Sequence, residues 1–334
     1  MGHAAITGTG SFVPANIMTN DDLGKLVETS DEWIRSRTGI RERRISDGMT
    51  ASDLAYEAGS RALKDAGLKP EEIDLIICAT ITPDYFMPSC ACMVQHRLGA
   101  VNAAAFDLTA ACTGMIYGIV TAEQFIKSGM YRNVLVIGTE VLSKVLDWED
   151  RSTCVLFGDG AGAVVLSDSD KGGNILASNL EADGSKYSLL TCPAIPLKNP
   201  YVDPGRENPL TEADNDGRPV IRMVGQEVFK FAVRTITDNI NAVLKKAGLN
   251  KDDIRYIIPH QANQRIFEQA SKFSGISIDR FYMNLDRYGN TSAASIGIAL
   301  DELIKGTGIK SGEIVVLVGF GGGMTGGAVI LRWE

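Results

Sequence analysis

The chain repeats itself, and a repeat of domain length restricts the fold more than any local pattern. Leu63-Lys-Asp-Ala-Gly-Leu-Lys-Pro-Glu-Glu-Ile-Asp-Leu-Ile-Ile77 aligns without gaps on Leu244-Lys-Lys-Ala-Gly-Leu-Asn-Lys-Asp-Asp-Ile-Arg-Tyr-Ile-Ile258, an offset of 181 at which eight of fifteen positions are identical. The same offset carries Leu135-Val-Ile-Gly138 onto Val316-Leu-Val-Gly319. Further on, Gly162-Ala-Val-Val-Leu166 matches Gly327-Ala-Val-Ile-Leu331 at an offset of 165, so the first half carries 16 extra residues within 140–161. Each copy reads as an amphipathic helix closing on Ala-Gly-Leu, a polar turn, a β-branched strand, a helix and further strands. Units of this length are too long for solenoid repeats. They predict an α/β protein of two pseudo-symmetric halves, 1–172 and 173–334, packed together with a site between them. The segment 199–219, rich in Pro, Asp, Glu, Asn and Gly, is expected to be an exposed loop.

Composition narrows the class. A chain of 334 residues, 45% hydrophobic and 22% charged, suits one large core or two fused ones. No apolar stretch reaches the roughly 18 residues of a membrane span; the run around Cys112, Leu108–Ala122, ends at Asp107 and Glu123. The N-terminus has neither a basic region nor a long apolar run, and Ile6 stands where a myristoylation signal needs Ser or Thr. A cytoplasmic protein without membrane attachment is expected, its six cysteines reduced. Cys90-Ala-Cys92 is too tight for a zinc pair and His3, His96 and His260 form no HxxxH or HExxH group, so no metal is expected. A net charge of −8 argues against nucleic-acid binding. Against that background Arg35, Arg37, Arg41, Arg43 and Arg44 stand out, either as a solvated surface or as a docking site for an anion.

Cys112 lies where an apolar helix begins, so the helix dipole favours its thiolate while the apolar surroundings oppose it. A free cysteine in such a place is also ordinary core filling. His260 follows directly on the strand ending Ile257-Ile258, at the carboxyl end where open α/β sheets place ligands, and its counterpart in the first half is Ala79. Thirty residues on, Asn290 sits in a turn-like run leading into a small-residue helix. The offset sets Cys112 opposite Ala293, which brings both helix starts to the junction of the halves, with Cys112 facing His260 and Asn290. Gly319-Phe-Gly-Gly-Gly-Met-Thr-Gly-Gly327 allows close backbone approach and aims N–H groups at a developing oxyanion. It lacks the Lys-Ser/Thr of a phosphate loop, and Val13 replaces the third glycine of a dinucleotide fingerprint after Gly8-Thr-Gly10.

With Ala111-Cys112-Thr113-Gly114, His260-Gln-Ala-Asn263, Gly289-Asn-Thr-Ser-Ala-Ala-Ser295 and Gly319-Phe-Gly-Gly-Gly323 in order, the chain resembles the β-ketoacyl-acyl carrier protein synthase III family of the thiolase superfamily. Thr29-Ser-Asp-Glu-Trp-Ile34, Arg37-Thr-Gly-Ile-Arg-Glu-Arg43 and Phe157-Gly-Asp-Gly-Ala-Gly162 extend the likeness nearly end to end. The resemblance implies a homodimer of five-layered (αβαβα) thiolase-like folds, without cofactor, that joins an acyl-CoA to malonyl-acyl carrier protein and so starts fatty-acid synthesis. It implies that Cys112 takes the acyl group, that His260 and Asn290 stabilise the enolate left by decarboxylation, and that the N–H groups of Cys112 and Gly322 hold the tetrahedral oxyanion. It further assigns CoA contacts to Thr29, Trp33, Arg37, Arg151, Gly225, Phe229, Ala262 and Asn263, with the adenine between Trp33 and Arg151, and carrier-protein contacts to Lys230, Gln261 and Arg265. The acyl pocket is expected to be lined by Met87 of a second subunit with Leu142, Leu156, Phe157 and Phe320.

The chain departs from the family pattern at Met87, where Phe is frequent, and at Met324-Thr-Gly326, where Phe or Leu, Thr and Trp are frequent. Both changes are expected to bear on acyl-chain room. Starter enzymes for polyketides, quinolones and similar products share the triad and remain the main alternative. Cys112, His260 and Asn290 also stand in papain-like order, 148 and then 30 residues apart, but Ala-Ala-Cys-Thr-Gly is not a Cys-Gly-Ser/Ala-Cys-Trp segment and duplicated α/β halves have no place in that fold.

Overall fold

The computed structural model describes residues 2–169, 174–195, 200–201 and 218–334, so most of the loop expected over 199–219 and the expected boundary at 172/173 lie outside the described residues. Two mixed sheets organise the chain. In the first, the strands Ala4–Phe12, Gly160–Asp168, Asn133–Glu140, Leu75–Ala79 and Ala104–Leu108 lie side by side in that order. In the second the order is Ile254–Pro259, Ile314–Gly321, Thr325–Arg332 and Ile175–Ala182. In both, a parallel pair continues into an antiparallel one: Leu75–Ala79 with Asn133–Glu140 and then Gly160–Asp168, and Ile254–Pro259 with Ile314–Gly321 and then Thr325–Arg332.

Side-chain alternation along these strands builds the layers, because successive residues of a strand point to opposite faces of its sheet. Leu75, Ile77, Val134 and Val136, with Val315 and Leu317 one offset beyond the last two, face a central core shared with the helices Gly114–Lys127 and Ser295–Lys305. Ile76, Cys78, Leu135 and Ile137 face the other way, onto the helices Ala51–Ala66 and Cys90–Leu98. Val316, Val318 and Phe320 face the helices Gly225–Ala247 and Gln264–Ser274. Three cores separate five layers, helix, sheet, helix, sheet, helix, as the resemblance implies. Strands buried on both faces explain why they read as unbroken apolar runs.

The repeat is visible in local geometry. The helices Ala51–Ala66 and Gly225–Ala247 both close on a left-handed glycine, Gly67 at φ 67° and Gly248 at φ 66°. The turns Ala111–Thr113 and Ser292–Ala294, which start the two central helices, each open on a non-glycine residue at positive φ, Ala111 at 45° and Ser292 at 48°. These positions are one offset apart. Strain of this kind persists only where the surroundings fix it. Here they do: a Cβ on Gly138 of the first sheet would overlap the Ala293 carbonyl of the second half's turn. Gly162 approaches the backbone of Ile298 in the same way. The segment inserted within 140–161 folds as the short turn Leu142–Val145 and packs Leu142, Leu146 and Phe157 with Ile221 into a small separate core.

Gly138→Ala is therefore expected to destabilise the protein by about 1–3 kcal/mol through overpacking against rigid backbone. Denaturant titration checks this; an unchanged midpoint would show that the turn can retreat.

Candidate active site

Cys112 sits in the turn Ala111–Thr113, with the helix Gly114–Lys127 starting two residues later. It is 7% exposed. Burial dominates over the helix start and pushes its thiol up to about 12; the nearby Glu140 adds to the rise, and Ser292 opposes it. The resting side chain is a neutral thiol. Gly321 packs so closely that a Cβ there would lie 2.7 Å from the Cys112 nitrogen, and Thr113 Oγ1 contacts Thr325 Oγ1 at 2.7 Å, tying the glycine run to the nucleophile turn.

His260 follows the strand Ile254–Pro259 and is held by its N–H donating to Val318 O at 2.8 Å. Its ring is 1% exposed, packs edge-on against Phe320 at 5.2 Å, and pairs Nδ1 with Ser295 Oγ at 2.8 Å. Ser295 Oγ accepts the Gln261 N–H and can give its own hydrogen to Nδ1, an orientation that makes Nδ1 the acceptor. The proton of the neutral ring then belongs on Nε2. Burial lowers the His260 pKa to about 3, so the ring is a neutral N–H donor at physiological pH. Asn290 is fixed by its N–H to Leu156 O at 2.8 Å and by Gly158 N–H to its own carbonyl at 3.0 Å. Its Oδ1 accepts the Ser292 N–H at 2.8 Å, leaving Nδ2 as the free end of the amide. Both side chains thus have their acceptor occupied and present donors. The junction between the turns brings Cys112 against Ser292 and Gly321, and His260 against Phe320, one residue from Gly321.

A cavity of about 770 Å³ opens beside the thiol, walled by Cys112, Leu142, Phe157, Ser292, Gly322 and Thr325 among others. Of the four residues expected from the same chain around an acyl group, Leu142 and Phe157 line it, whereas Phe320 packs into the outer core and Leu156 against both that core and the small core of Leu142 and Phe157; Met87, expected from a second subunit, is 86% exposed. Met324 and Gly326 do not line it either; a side chain on Gly326 would run into Thr235 of the outer helix layer. The sequence departure at Met324-Thr-Gly326 therefore does not enlarge this cavity.

The expected cofactor and carrier residues fall into two places. Arg37, Phe229, Asn263 and Arg265 share one surface cavity of about 540 Å³. Asn263 caps the helix Gln264–Ser274, Ala262 lies half-buried beside it, and Gly225 begins the helix that carries Phe229 and the exposed Lys230. Arg37 lies 4.5 Å from the Trp33 ring centre and Arg151 5.3 Å from it, with Arg151 Nη1 donating to Glu28 O at 2.9 Å. Two stacking distances need about 7 Å, so an adenine enters between Trp33 and Arg151 only if Arg151 swings out. Thr29 Oγ1 is buried without a partner beside this slot. Two expectations are corrected. Gln261 is 1% exposed, its amide donating to Pro259 O and Tyr282 O and accepting the Asn284 N–H, so it pins the loop rather than meeting a carrier protein. Arg43 is fully buried, bonded to Met18 O, Asn20 Oδ1 and Val155 O, and leaves the expected basic patch.

Ser292 and Ser295 lie within the Gly289–Ser295 motif, but nothing in the sequence separates them from the small residues around them. Glu140 has a clearer signal: it is the one charged residue of a buried strand, at the position the repeat gives to Gly321.

A duplicated αβαβα fold with a buried thiol at the junction of its halves defines a thiolase-like condensing acyltransferase. Residues 106–184 match the family described as 3-oxoacyl-[acyl-carrier-protein (ACP)] synthase III, and residues 244–333 its C-terminal part. The β-ketoacyl-[acyl-carrier-protein] synthase III of Clostridium acetobutylicum is 53% identical, over 100% of this chain and 99% of that one. The crystal structure of the Aquifex aeolicus 3-oxoacyl-[acyl-carrier-protein] synthase III superposes with a TM-score of 0.90 at 48% identity, covering 99% of this chain and 100% of that one. The priming β-ketosynthase of the R1128 polyketide pathway also reaches a TM-score of 0.90, at 33% identity, covering 100% and 97%. The chain belongs to the β-ketoacyl-acyl carrier protein synthase III family.

The neutral state of the nucleophile is directly testable. The ultraviolet difference between wild type and Cys112→Ala is expected to show no thiolate absorbance between pH 6 and 9, consistent with a thiol pushed to about 12. A thiolate band at pH 7 would mean that the helix start outweighs burial.

Proposed function

We propose that the protein condenses an acyl-CoA starter with malonyl-acyl carrier protein, releasing carbon dioxide and CoA, in two steps through an acyl-Cys112 intermediate. The observation that carries this reading is the pair of donors at the junction. His260 Nε2–H and Asn290 Nδ2 have their opposite ends engaged by Ser295 and Ser292 N–H, as a site for a thioester oxygen turning into an enolate requires. Cys112 Sγ attacks the acyl-CoA carbonyl, and CoA leaves. Malonyl thioester then loses carbon dioxide against the two donors, and the enolate carbon attacks acyl-Cys112 while the N–H groups of Cys112 and Gly322 hold the oxyanion.

CoA is proposed to reach the thiol past Gly225, Phe229, Ala262 and Asn263, its nucleotide end at Thr29, Trp33, Arg37 and Arg151. Lys230 and Arg265, both exposed, supply the cationic rim for an acidic carrier protein; Lys230 is paired with Glu227 at 2.7 Å and must exchange that partner. A homodimer fits the surface: Tyr85, Phe86 and Met87 are 59%, 79% and 86% exposed, Tyr85 and Phe86 border the acyl cavity, and the edge strand Ala104–Leu108 has one side unpaired among the described strands. The partner subunit's covering of this mouth would set the length of acyl group accepted. All six cysteines are free, which agrees with a cytoplasmic setting, and among the described residues no helix is long and apolar enough to cross a membrane.

Acetyl-CoA is expected to leave one acetyl group on the intact protein and none on Cys112→Ala; an adduct persisting in that variant would remove Cys112 from its role. His260→Ala and Asn290→Ala are expected to slow malonyl decarboxylation about 100-fold while sparing acyl transfer. Because His260 is already neutral down to about pH 3, decarboxylation should show no inflection at the ordinary imidazole pKa. An inflection there, lost in His260→Ala, would mean that the imidazolium takes part.

A further inference from the structure

A thiol buried as deeply as Cys112 must lose its proton as it attacks, and His260, with its Nδ1 turned to Ser295, holds its remaining proton as a donor. Glu140, at the end of the strand Asn133–Glu140, is fully buried beside the nucleophile turn. Its carboxylate faces donors. Thr82 Oγ1 lies 2.6 Å from Oε2 and also accepts the Val141 N–H; Thr80 Oγ1 lies 3.2 Å away and also accepts the Thr82 N–H. Each hydroxyl therefore has its own hydrogen to give to the carboxylate. The Ile81 N–H adds a third donor at 3.2 Å.

Such a cradle suits an anion, yet among the described ion pairs no cation meets this carboxylate. Lys144 Nζ instead donates to Thr82 O and Pro83 O. The other titratable neighbours are the thiols of Cys78, raised chiefly by Cys90, and of Cys112 and Cys192, raised chiefly by burial, with the charge of Glu140 adding to each. Asp159, next to the paired residue Gly160, is engaged by Ser46 and Ser143, and Asp107 caps the helix Cys90–Leu98. Ser292 lines the cavity beside Cys112, and its Oγ is buried without a hydrogen-bond partner while favouring the ionised form of both the thiol and the Glu140 carboxylate. The residue is held at φ 48°, and its N–H anchors Asn290.

We propose that Glu140 accepts the Cys112 proton through Ser292 as the thiol attacks, and returns it when the thiolate is expelled. The inference rests on Cys112 being the acyl acceptor. In the first step Sγ bonds to the acyl-CoA carbonyl carbon, the Sγ proton passes to Ser292 Oγ, and the Ser292 hydroxyl proton passes to the Glu140 carboxylate. The carbon–sulfur bond to CoA breaks and the CoA thiolate takes a proton from solvent. In the second step the malonyl enolate bonds to the acyl carbon, the bond to Sγ breaks, and the thiolate regains its proton from Glu140 by the same route. The pair carries one negative charge at rest and none in the acyl-enzyme, the charge leaving on the CoA thiolate and returning to Glu140 when Cys112 is released, and one solvent proton is consumed per turnover.

Burial raises Glu140 to about 7 against the opposing donors, which predicts where the relay titrates. A base works ionised, so acylation should rise as pH increases through that value. The rate of acetylation of the full-length protein by acetyl-CoA, followed by rapid quench and intact mass from about pH 5.5 to 9.5, tests this. Wild type is expected to show an inflection near 7. Glu140→Gln should lose the inflection and slow acetylation about 100-fold at pH 8, with Glu140→Asp recovering part of both. Ser292→Ala, which deletes a hydroxyl that has no regular partner, should lose rate and inflection together. A wild-type rate and pH profile in folded Glu140→Gln overturns the proposal, and if that variant does not fold, the same result in Ser292→Ala does so. Absence of any wild-type adduct, or its persistence in Cys112→Ala, would instead overturn the reading of Cys112.

Discussion

The site depends on one backbone contact, the approach of the strand Asn133–Glu140 to the turn Ser292–Ala294 at Gly138, where no side chain fits. That contact joins the two halves at the level of their helix starts. It holds the turn in which Ser292 is left-handed, while the approach of Gly321 to the Cys112 nitrogen holds the turn in which Ala111, one repeat away, is left-handed too. It also sets Cys112, Glu140 and Ser292 next to one another although they come from three distant stretches of chain. The duplication supplies the scaffold twice; the asymmetry of what each copy carries at equivalent positions, Cys112 against Ala293 and Ala79 against His260, supplies the chemistry.

Burial governs the electrostatics that follow. It keeps Cys112 a thiol and His260 an uncharged imidazole and raises Glu140 to about 7, all of them buried. Neutral groups cost less to bury than charged ones, and fixed N–H donors need no reorganisation when negative charge develops. The charge that the reaction creates is met by dipoles already in place, with Ser295 and the Ser292 N–H deciding which end of His260 and Asn290 faces it.

The repeat makes most of the architecture legible. Its offset predicts the paired helix starts, the strand ends and the insertion, and the apolar runs predict strands buried on both faces. Cys112, His260, Asn290 and the glycine run are legible because each breaks the symmetry or the expected burial of its residue type. Contacts made by single side chains are not. Gln261 follows a functional histidine directly yet turns inward, because the loop 281–284 needs its amide. Arg43 shares a cluster with surface arginines yet enters the core, where backbone carbonyls from two distant segments accept it. Leu156 and Phe320 are apolar residues near the right elements, but which wall each joins depends on packing that sequence spacing does not encode. Ser292 and Glu140 carry ordinary residue types, and only the fold brings them to the thiol.

The central claim is that acyl and malonyl carbonyls meet two different sets of donors at this junction. A crystal structure of the acetylated enzyme with a malonyl thioester analogue that cannot lose carbon dioxide tests it most directly. The account predicts the acetyl oxygen between the N–H groups of Cys112 and Gly322, and the analogue's thioester oxygen between His260 Nε2 and Asn290 Nδ2. A thioester oxygen bound away from His260 and Asn290, or an acetyl group on any residue but Cys112, would contradict it.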